Sequence, residues 1–267
     1  MPAGESSRMT GADAGSGRVE CRVDGPVAGW LVDNPPVNAL TRSMFEALVR
    51  ACDETRRDAR VRAVVVMGAG ERCFSAGADL RELLRMDVTQ AMARAELVYA
   101  FFDKLAELPV PTICACNGSA VGGGFEVALM CDVIIASEDA KFGLPEIRSG
   151  VVPASVGLRR LAEAIGYPRA RALVYTGELI SAAEARSLGL VHRVVSAGEV
   201  VPAANDLARQ MALQSQTALR AAKELFTASL SSSPSELREL GLKTFAQLLK
   251  SQGLRDAIQA FVERRGR

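Results

Sequence analysis

Residues 112–126 read Thr112-Ile113-Cys114-Ala115-Cys116-Asn117-Gly118-Ser119-Ala120-Val121-Gly122-Gly123-Gly124-Phe125-Glu126. Thr112–Cys116 is a short apolar run that suits a strand buried on both faces. A loop of small residues follows, Asn117–Gly124, and then helical sequence to about Cys131. The same order occurs upstream. Val61–Met67 is apolar and β-branched, Gly68–Gly77 is rich in glycine, and helical sequence runs from Asp79 to about Leu108. Val133–Ala136 reads as a third buried strand. Strand, crossover helix and strand in repetition predict an α/β fold with a largely parallel sheet and right-handed connections.

Working outward, Arg18–Asp24 and Val27–Asp33 flank Gly25–Pro26 and predict a hairpin-like start. Thr41 can cap a helix whose apolar face is Met44, Leu48 and Ala51. From about Pro153 the chain turns helical. Positions 200, 204, 207 and 211 fit one helix face, and 219, 222, 226 and 230 fit another. Ser233-Pro234-Ser235-Glu236 is a helix start with a capping Ser, Pro at the first position and Glu in the first turn. Leu237, Leu240, Leu248, Leu254, Ile258 and Phe261 continue that pattern. The expected division is a flexible leader over 1–17, an α/β core over 18–200 and a helical part over 201–267. Ten of the first 17 residues are Gly, Ala or Ser.

The 267 residues carry 32 Lys and Arg against 31 Asp and Glu, a net charge of +1. That balance supplies no general field for nucleic acid or an anionic membrane. Hydrophobic residues make up 49%, enough for a substantial core. No apolar run approaches the ~18–20 residues of a membrane span, and the leader lacks a secretory apolar region. A cytoplasmic location is the expectation. Without a secretory signal, the six cysteines at 21, 52, 73, 114, 116 and 131 are expected to be reduced. Cys114 and Cys116 are two apart on one strand and point the same way. His192 is the only histidine, and it is read as structural. A Cys/His zinc site and a His-based triad are thereby excluded, and no metal is expected. Acid/base work must fall to other side chains.

Both Gly-rich loops leave backbone N–H groups at a helix N-terminus facing a space free of side chains. Two such groups converging from separate loops would make an oxyanion hole. Glycines that merely permit tight turns are the alternative. Neither loop matches a nucleotide motif. Glu126 stands in the first helical turn, where the helix dipole favours a negative charge in any case. Glu146 follows Gly143-Leu144-Pro145, just beyond the third strand. Two glutamates beside an oxyanion hole can handle the protons of one water, and apolar neighbours can keep one of them protonated.

The loops and carboxylates closely resemble the enoyl-CoA hydratase/isomerase (crotonase) family over about Val19–Arg265. The specific parts are Phe74-Ser75-Ala76-Gly77-Ala78-Asp79-Leu80, Asn117-Gly118 with Gly122-Gly123-Gly124-Phe125-Glu126, Cys131-Asp132, and Phe142-Gly143-Leu144-Pro145-Glu146. Pro35-Val37-Asn38-Ala39-Leu40 and Phe261-Val262-Glu263-Arg264-Arg265 also fit. The resemblance implies a crotonase (ClpP-like) spiral of ββα units with a helical C-terminal part. It implies that Ala78 and Gly123 donate N–H groups to a thioester carbonyl and that Glu126 and Glu146 are the two catalytic glutamates. Ala76, Asp79, Leu80 and Arg81 would lie along the substrate, Ala76 near the adenine and Arg81 near the 3′-phosphate of coenzyme A. No cofactor is implied, because coenzyme A enters as part of the acyl-CoA substrate. A homotrimer or dimer of trimers, joined through the C-terminal helices, is implied too.

Two positions depart from the family pattern. Val156 stands where hydratases often carry glycine, and its bulk near the acyl group or nearby backbone is expected to narrow or reshape the pocket; Leu144 replaces a frequently polar residue. The retained pair of glutamates favours reversible hydration of a trans-2-enoyl-CoA. The alternatives are a specialised relative (a carnitinyl-CoA-type dehydratase, an isomerase or a biosynthetic hydratase), an RNA-binding member, or an inactive scaffold. For RNA, the five Arg of 50–62 stand among Asp53, Glu54 and Asp58, a pattern closer to a solvated helix face.

Overall fold

The computed structural model describes residues 17–250 together with Leu254, Ile258, Gln259, Val262 and Glu263. Most of the expected leader, Phe261 and Arg264-Arg265 lie outside the described residues.

The chain opens with β1 (Arg18–Asp24) and β2 (Val27–Asp33), an antiparallel pair turning at Gly25–Pro26 as expected. Helix α1 (Arg42–Arg57) follows, with the Thr41 side chain accepting from the Met44 N–H. Three strand pairs then alternate with helices. They are β3 (Ala63–Gly68) and β4 (Cys73–Ser75), β5 (Thr112–Cys116) and β6 (Ser119–Val121), and β7 (Val133–Ser137) and β8 (Lys141–Gly143). Helices α2 (Leu80–Leu83) and α3 (Val88–Ala106) separate the first two pairs, and α4 (Gly123–Met130) the second and third. Next come α5 (Ser155–Ile165), α6 (Tyr167–Thr176), β9 (Ile180–Ser181), α7 (Ala182–Ser187) and β10 (Arg193–Val195). Helices α8 (Val200–Ala212), α9 (Gln216–Ser229) and α10 (Pro234–Lys250) end the described chain.

Each strand pair gives one strand to each of two sheets. The larger sheet has the order β1-β2-β3-β5-β7-β10 and the smaller β4-β6-β8-β9. From β2 to β10 the larger sheet is parallel. This is the expected spiral of ββα units. The larger sheet is buried on both faces: Val64, Val66 and Cys114 point into the main core, while Ala63, Val65 and Ile113 meet Val200, Ala204 and Ala208 of α8. Full burial explains why these strands read as unbroken apolar runs. Cys114 and Cys116 do share a face, their Sγ atoms 3.4 Å apart, and all six cysteines are free thiols.

Three details differ from the sequence reading. The Gly-rich loops each contain a three-residue strand of the smaller sheet, β4 or β6. The helical stretch Asp79–Leu108 breaks at 84–87, because Asp87 and Gln90 form a reciprocal capping box that starts α3 afresh. On α9 the buried residue is Ala221, while Phe226 of the expected face is 75% exposed. Among the described residues, no helix is long and apolar enough to cross a membrane.

Asp132 ties the third strand pair to the C-terminal helices. Its Oδ2 accepts from the Thr112 N–H at 2.7 Å, the Thr112 hydroxyl at 2.9 Å and the Lys223 ammonium at 2.8 Å. The Lys223 side chain is only 12% exposed. Asp132→Ala takes the counter-charge from that ammonium, which keeps its bond to the Val110 carbonyl, and strands the Thr112 N–H, so urea unfolding is expected to show a loss of about 2–3 kcal/mol.

Candidate active site

A cavity of about 760 Å³ lies where the two Gly-rich loops meet the start of α3 and the turn after β8. The loops touch backbone to backbone. A Cβ built on Gly77 would stand 2.6 Å from the Gly123 N and 2.9 Å from the Val121 O, and Gly77 has φ +85°. Only glycine meets both demands. Among the described residues, no acceptor is paired with the Ala78 or Gly123 N–H. The two loops thus bring two N–H groups without a protein acceptor close together.

Polar side chains hold the loops rigid from behind. Buried Asn38 donates to the Ala69 and Cys73 carbonyls at 2.9 and 2.8 Å and accepts from the Asn34 N–H. Its φ of +51° is the one positive value among the described non-glycine residues, a conformation Asn tolerates. The Ser75 hydroxyl donates to the Asn38 carbonyl and accepts from the Gly77 N–H. Asn117 brackets the end of β3: its Oδ1 accepts from the Gly68 N–H and its Nδ2 donates to the Gly68 and Gly70 carbonyls.

Glu126 and Glu146 both face the cavity. Glu126 stands in the first turn of α4 and Glu146 opens a 3-10 turn, Glu146–Ser149, behind Pro145. Their oxygens converge on the same glycine turn. A Cβ on Gly122 would lie 2.9 Å from Glu146 Oε1, and one on Gly123 would lie 3.7 Å from Glu126 Oε2 and 3.6 Å from the Ala78 N. Glu126 Oε1 and Glu146 Oε2 are buried without a hydrogen-bond partner. Burial pushes the Glu126 carboxyl up to about 8; the nearby Glu146 adds to the rise, while the Ala154 N–H and the Arg94 guanidinium oppose it. Burial raises Glu146 as well, against the pull of its own backbone N–H.

Ala76, Asp79, Leu80 and Arg81 also line the cavity, so all eight sequence-derived candidates meet there. The Asp79 carboxylate is engaged in capping α2, accepting from the Arg81 and Glu82 N–H groups. His192 is exposed, and its N–H pairs with the Ile134 carbonyl. Val156 does not narrow the cavity directly. It packs against the main core and is not among the residues lining the cavity. Its neighbour Gly157 is the tight position, since a Cβ there would fall 2.5 Å from Glu126 Oε1. Leu144 is likewise buried in the core. Sequence reading passed over Arg94, which lines the cavity from α3. The available signal was its phase: 94, 98, 101, 102 and 105 are the buried positions of that helix.

A profile of the enoyl-CoA hydratase/isomerase family matches residues 25–267. The chain belongs to the enoyl-CoA hydratase/isomerase family. A probable enoyl-CoA hydratase of Bacillus subtilis is 36% identical over 249 residues, 92% of this chain and 96% of that protein. A probable enoyl-CoA hydratase of Mycobacterium leprae is 39% identical over 243 residues, 89% of this chain and 92% of the relative. The crystal structure of a Bacillus anthracis enoyl-CoA hydratase superposes with a TM-score of 0.88 at 31% identity, covering 92% of this chain and 96% of the other. The crotonase fold expected from the sequence is therefore the fold of this family member.

Proposed function

We propose that the protein is an enoyl-CoA hydratase, adding water reversibly to a trans-2-enoyl-CoA to give a 3-hydroxyacyl-CoA. The observation that carries this reading is the convergence of two partly unsatisfied glutamates on the turn that holds two free N–H donors. Hydratase-named relatives of nearly full length support it. In this reading the thioester carbonyl accepts from the Ala78 and Gly123 N–H groups. One water lies between the carboxyls. Ionised Glu126 takes a proton from it as the oxygen bonds to Cβ, and the Cα–Cβ π electrons move into an enolate stabilised by the two N–H groups. The enolate then collapses to the thioester as protonated Glu146 gives its proton to Cα.

Each turnover thereby moves the pair's single proton from Glu146 to Glu126. The next water relays it back. Ala76, Asp79 and Leu80 flank the bound coenzyme A, which arrives as part of the substrate, so no further cofactor or metal is needed. Arg81 and Arg85 border a neighbouring depression and carry no ion pair among the described residues, which leaves them for the substrate's phosphates. A homotrimer or dimer of trimers through α8–α10, working in the cytoplasm, completes the reading. RNA binding is disfavoured by the pairing of Arg56 with Glu107, Arg60 with Asp58 and Arg62 with the Gln214 carbonyl.

Loss of the enone absorbance of crotonyl-CoA tests the proposal. Turnover by the wild type is the expected result. If crotonyl-CoA is inert but a carnitinyl or branched acyl-CoA reacts, the protein is one of the specialised relatives instead.

A further inference from the structure

Arg94 is a charged residue at a core position. It is 9% exposed and shares the buried face of α3 with Val98, Phe102 and Leu105. Its guanidinium is incompletely satisfied. Nη2 donates to the Leu40 carbonyl at 3.1 Å. Nε stands 3.6 Å from Glu82 Oε2, beyond hydrogen-bond reach, and has no hydrogen-bond partner. The group lies over the Phe45 ring, 5.4 Å from its centre. A hydrocarbon side chain would fill this space without desolvating a charge, so packing alone gives no reason for arginine.

Its partner supplies the reason. The Leu40 N–H donates to the Gly77 carbonyl at 2.7 Å, and the Leu40 carbonyl accepts from the Asp79 N–H at 3.3 Å. These two bonds bracket Ala78, whose backbone forms a parallel bridge with Leu40. Arg94 therefore grips the residue that aligns Ala78. The same guanidinium borders the cavity holding Glu126.

We propose that Arg94 is a positioning residue for hydration, fixing the Leu40 carbonyl so that the Ala78 N–H stays aimed, and setting a permanent positive charge beside Glu126. The inference rests on the hydratase reading. Groups that face Glu126 are Glu146, the Ala154 N–H and Arg94; those that face Arg94 are Glu82, Asp79 and Glu126. Arg94 is the only cation in that set. Its charge favours the ionised form of Glu126, which is the form that accepts the proton of water.

The test is crotonyl-CoA kinetics of the wild type, Arg94→Met and Arg94→Lys across pH. Arg94→Met is expected to lower kcat about 10- to 100-fold, to leave KM nearly unchanged and to move the pH profile upward. Arg94→Lys keeps the charge, so its profile stays in place while part of kcat returns. An unchanged kcat in Arg94→Met overturns the proposal. So does a loss with no shift of the profile, which marks a merely structural residue, or a loss confined to acyl chains ending in a carboxylate, which marks substrate recognition. If Arg94→Met does not fold, Arg94→Lys decides: activity as low as the background overturns the role of the charge. A wild type without hydration overturns the hydratase reading and this one together. An active wild type with indifferent variants overturns this one alone.

Discussion

Glu126→Gln and Glu146→Gln are each expected to lower the rate of crotonyl-CoA hydration by about 10²–10⁴. Each variant keeps the shape of the side chain and removes one of the two proton sites. In the wild type the rate should rise with pH towards about 8, where Glu126 ionises and can accept the proton of water. A second measurement separates lost chemistry from lost structure. The Glu126 carboxyl is raised from 4.5 to about 8, so the folded protein binds a proton that the unfolded chain releases. Stability from this group is full below pH 4.5 and is lost as pH rises towards about 8. Glu126→Gln removes that dependence. The variant should therefore gain on the wild type between pH 5 and 8, by on the order of a few kcal/mol at most. Melting temperatures at pH 5 and pH 8.5 would show it. An inactive Glu126→Gln with unaltered or improved stability at pH 8.5 fits an acid/base role. A variant that melts lower at both pH values assigns the carboxylate to structure.

The parts of this molecule that were legible in the sequence are those where one physical demand acts alone. Strands β3, β5 and β7 are buried on both sides, and their apolar runs say so without ambiguity. Glu126 and Glu146 stand out because glycines or a proline precede them. The short strands β4 and β6 were not legible, since three residues are too few to show an alternation. The break before α3 depends on the Asp87–Gln90 capping box, a pattern that the apolar periodicity running through 79–108 obscures. Phe226 misled for a different reason: helical phase reveals a common face but not whether the same chain covers it. Val156 and Gly157 show the limit of comparing single positions. The glycine that abuts Glu126 is retained, and the substituted neighbour points into the core. Arg94 was the hardest, because an arginine in an amphipathic helix ordinarily belongs to the solvated side.

Gly77→Ala should strike the proposed oxyanion site directly. Two costs combine there. A side chain at φ +85° is strained by about 1–2 kcal/mol, and that much is shared by other positive-φ glycines. Gly25, in the hairpin turn at φ +56°, has open space around its missing Cβ and isolates this first effect. Among the described positive-φ glycines, the second is peculiar to Gly77. Its new methyl would meet the Gly123 nitrogen at 2.6 Å and the Val121 oxygen at 2.9 Å, both backbone atoms that no rotamer change can move aside. Relief requires the two loops to separate. The loops carry Ala78 on one side and Gly123 on the other, so separation spoils the spacing of both proposed donors at once. Misplacing or removing one such donor typically lowers kcat about 10²–10³-fold. Gly77→Ala is therefore expected to lose at least about 10²-fold in kcat while Gly25→Ala loses only stability. Equal kinetics in the two variants would mean that the approach of these loops has no part in holding the thioester carbonyl.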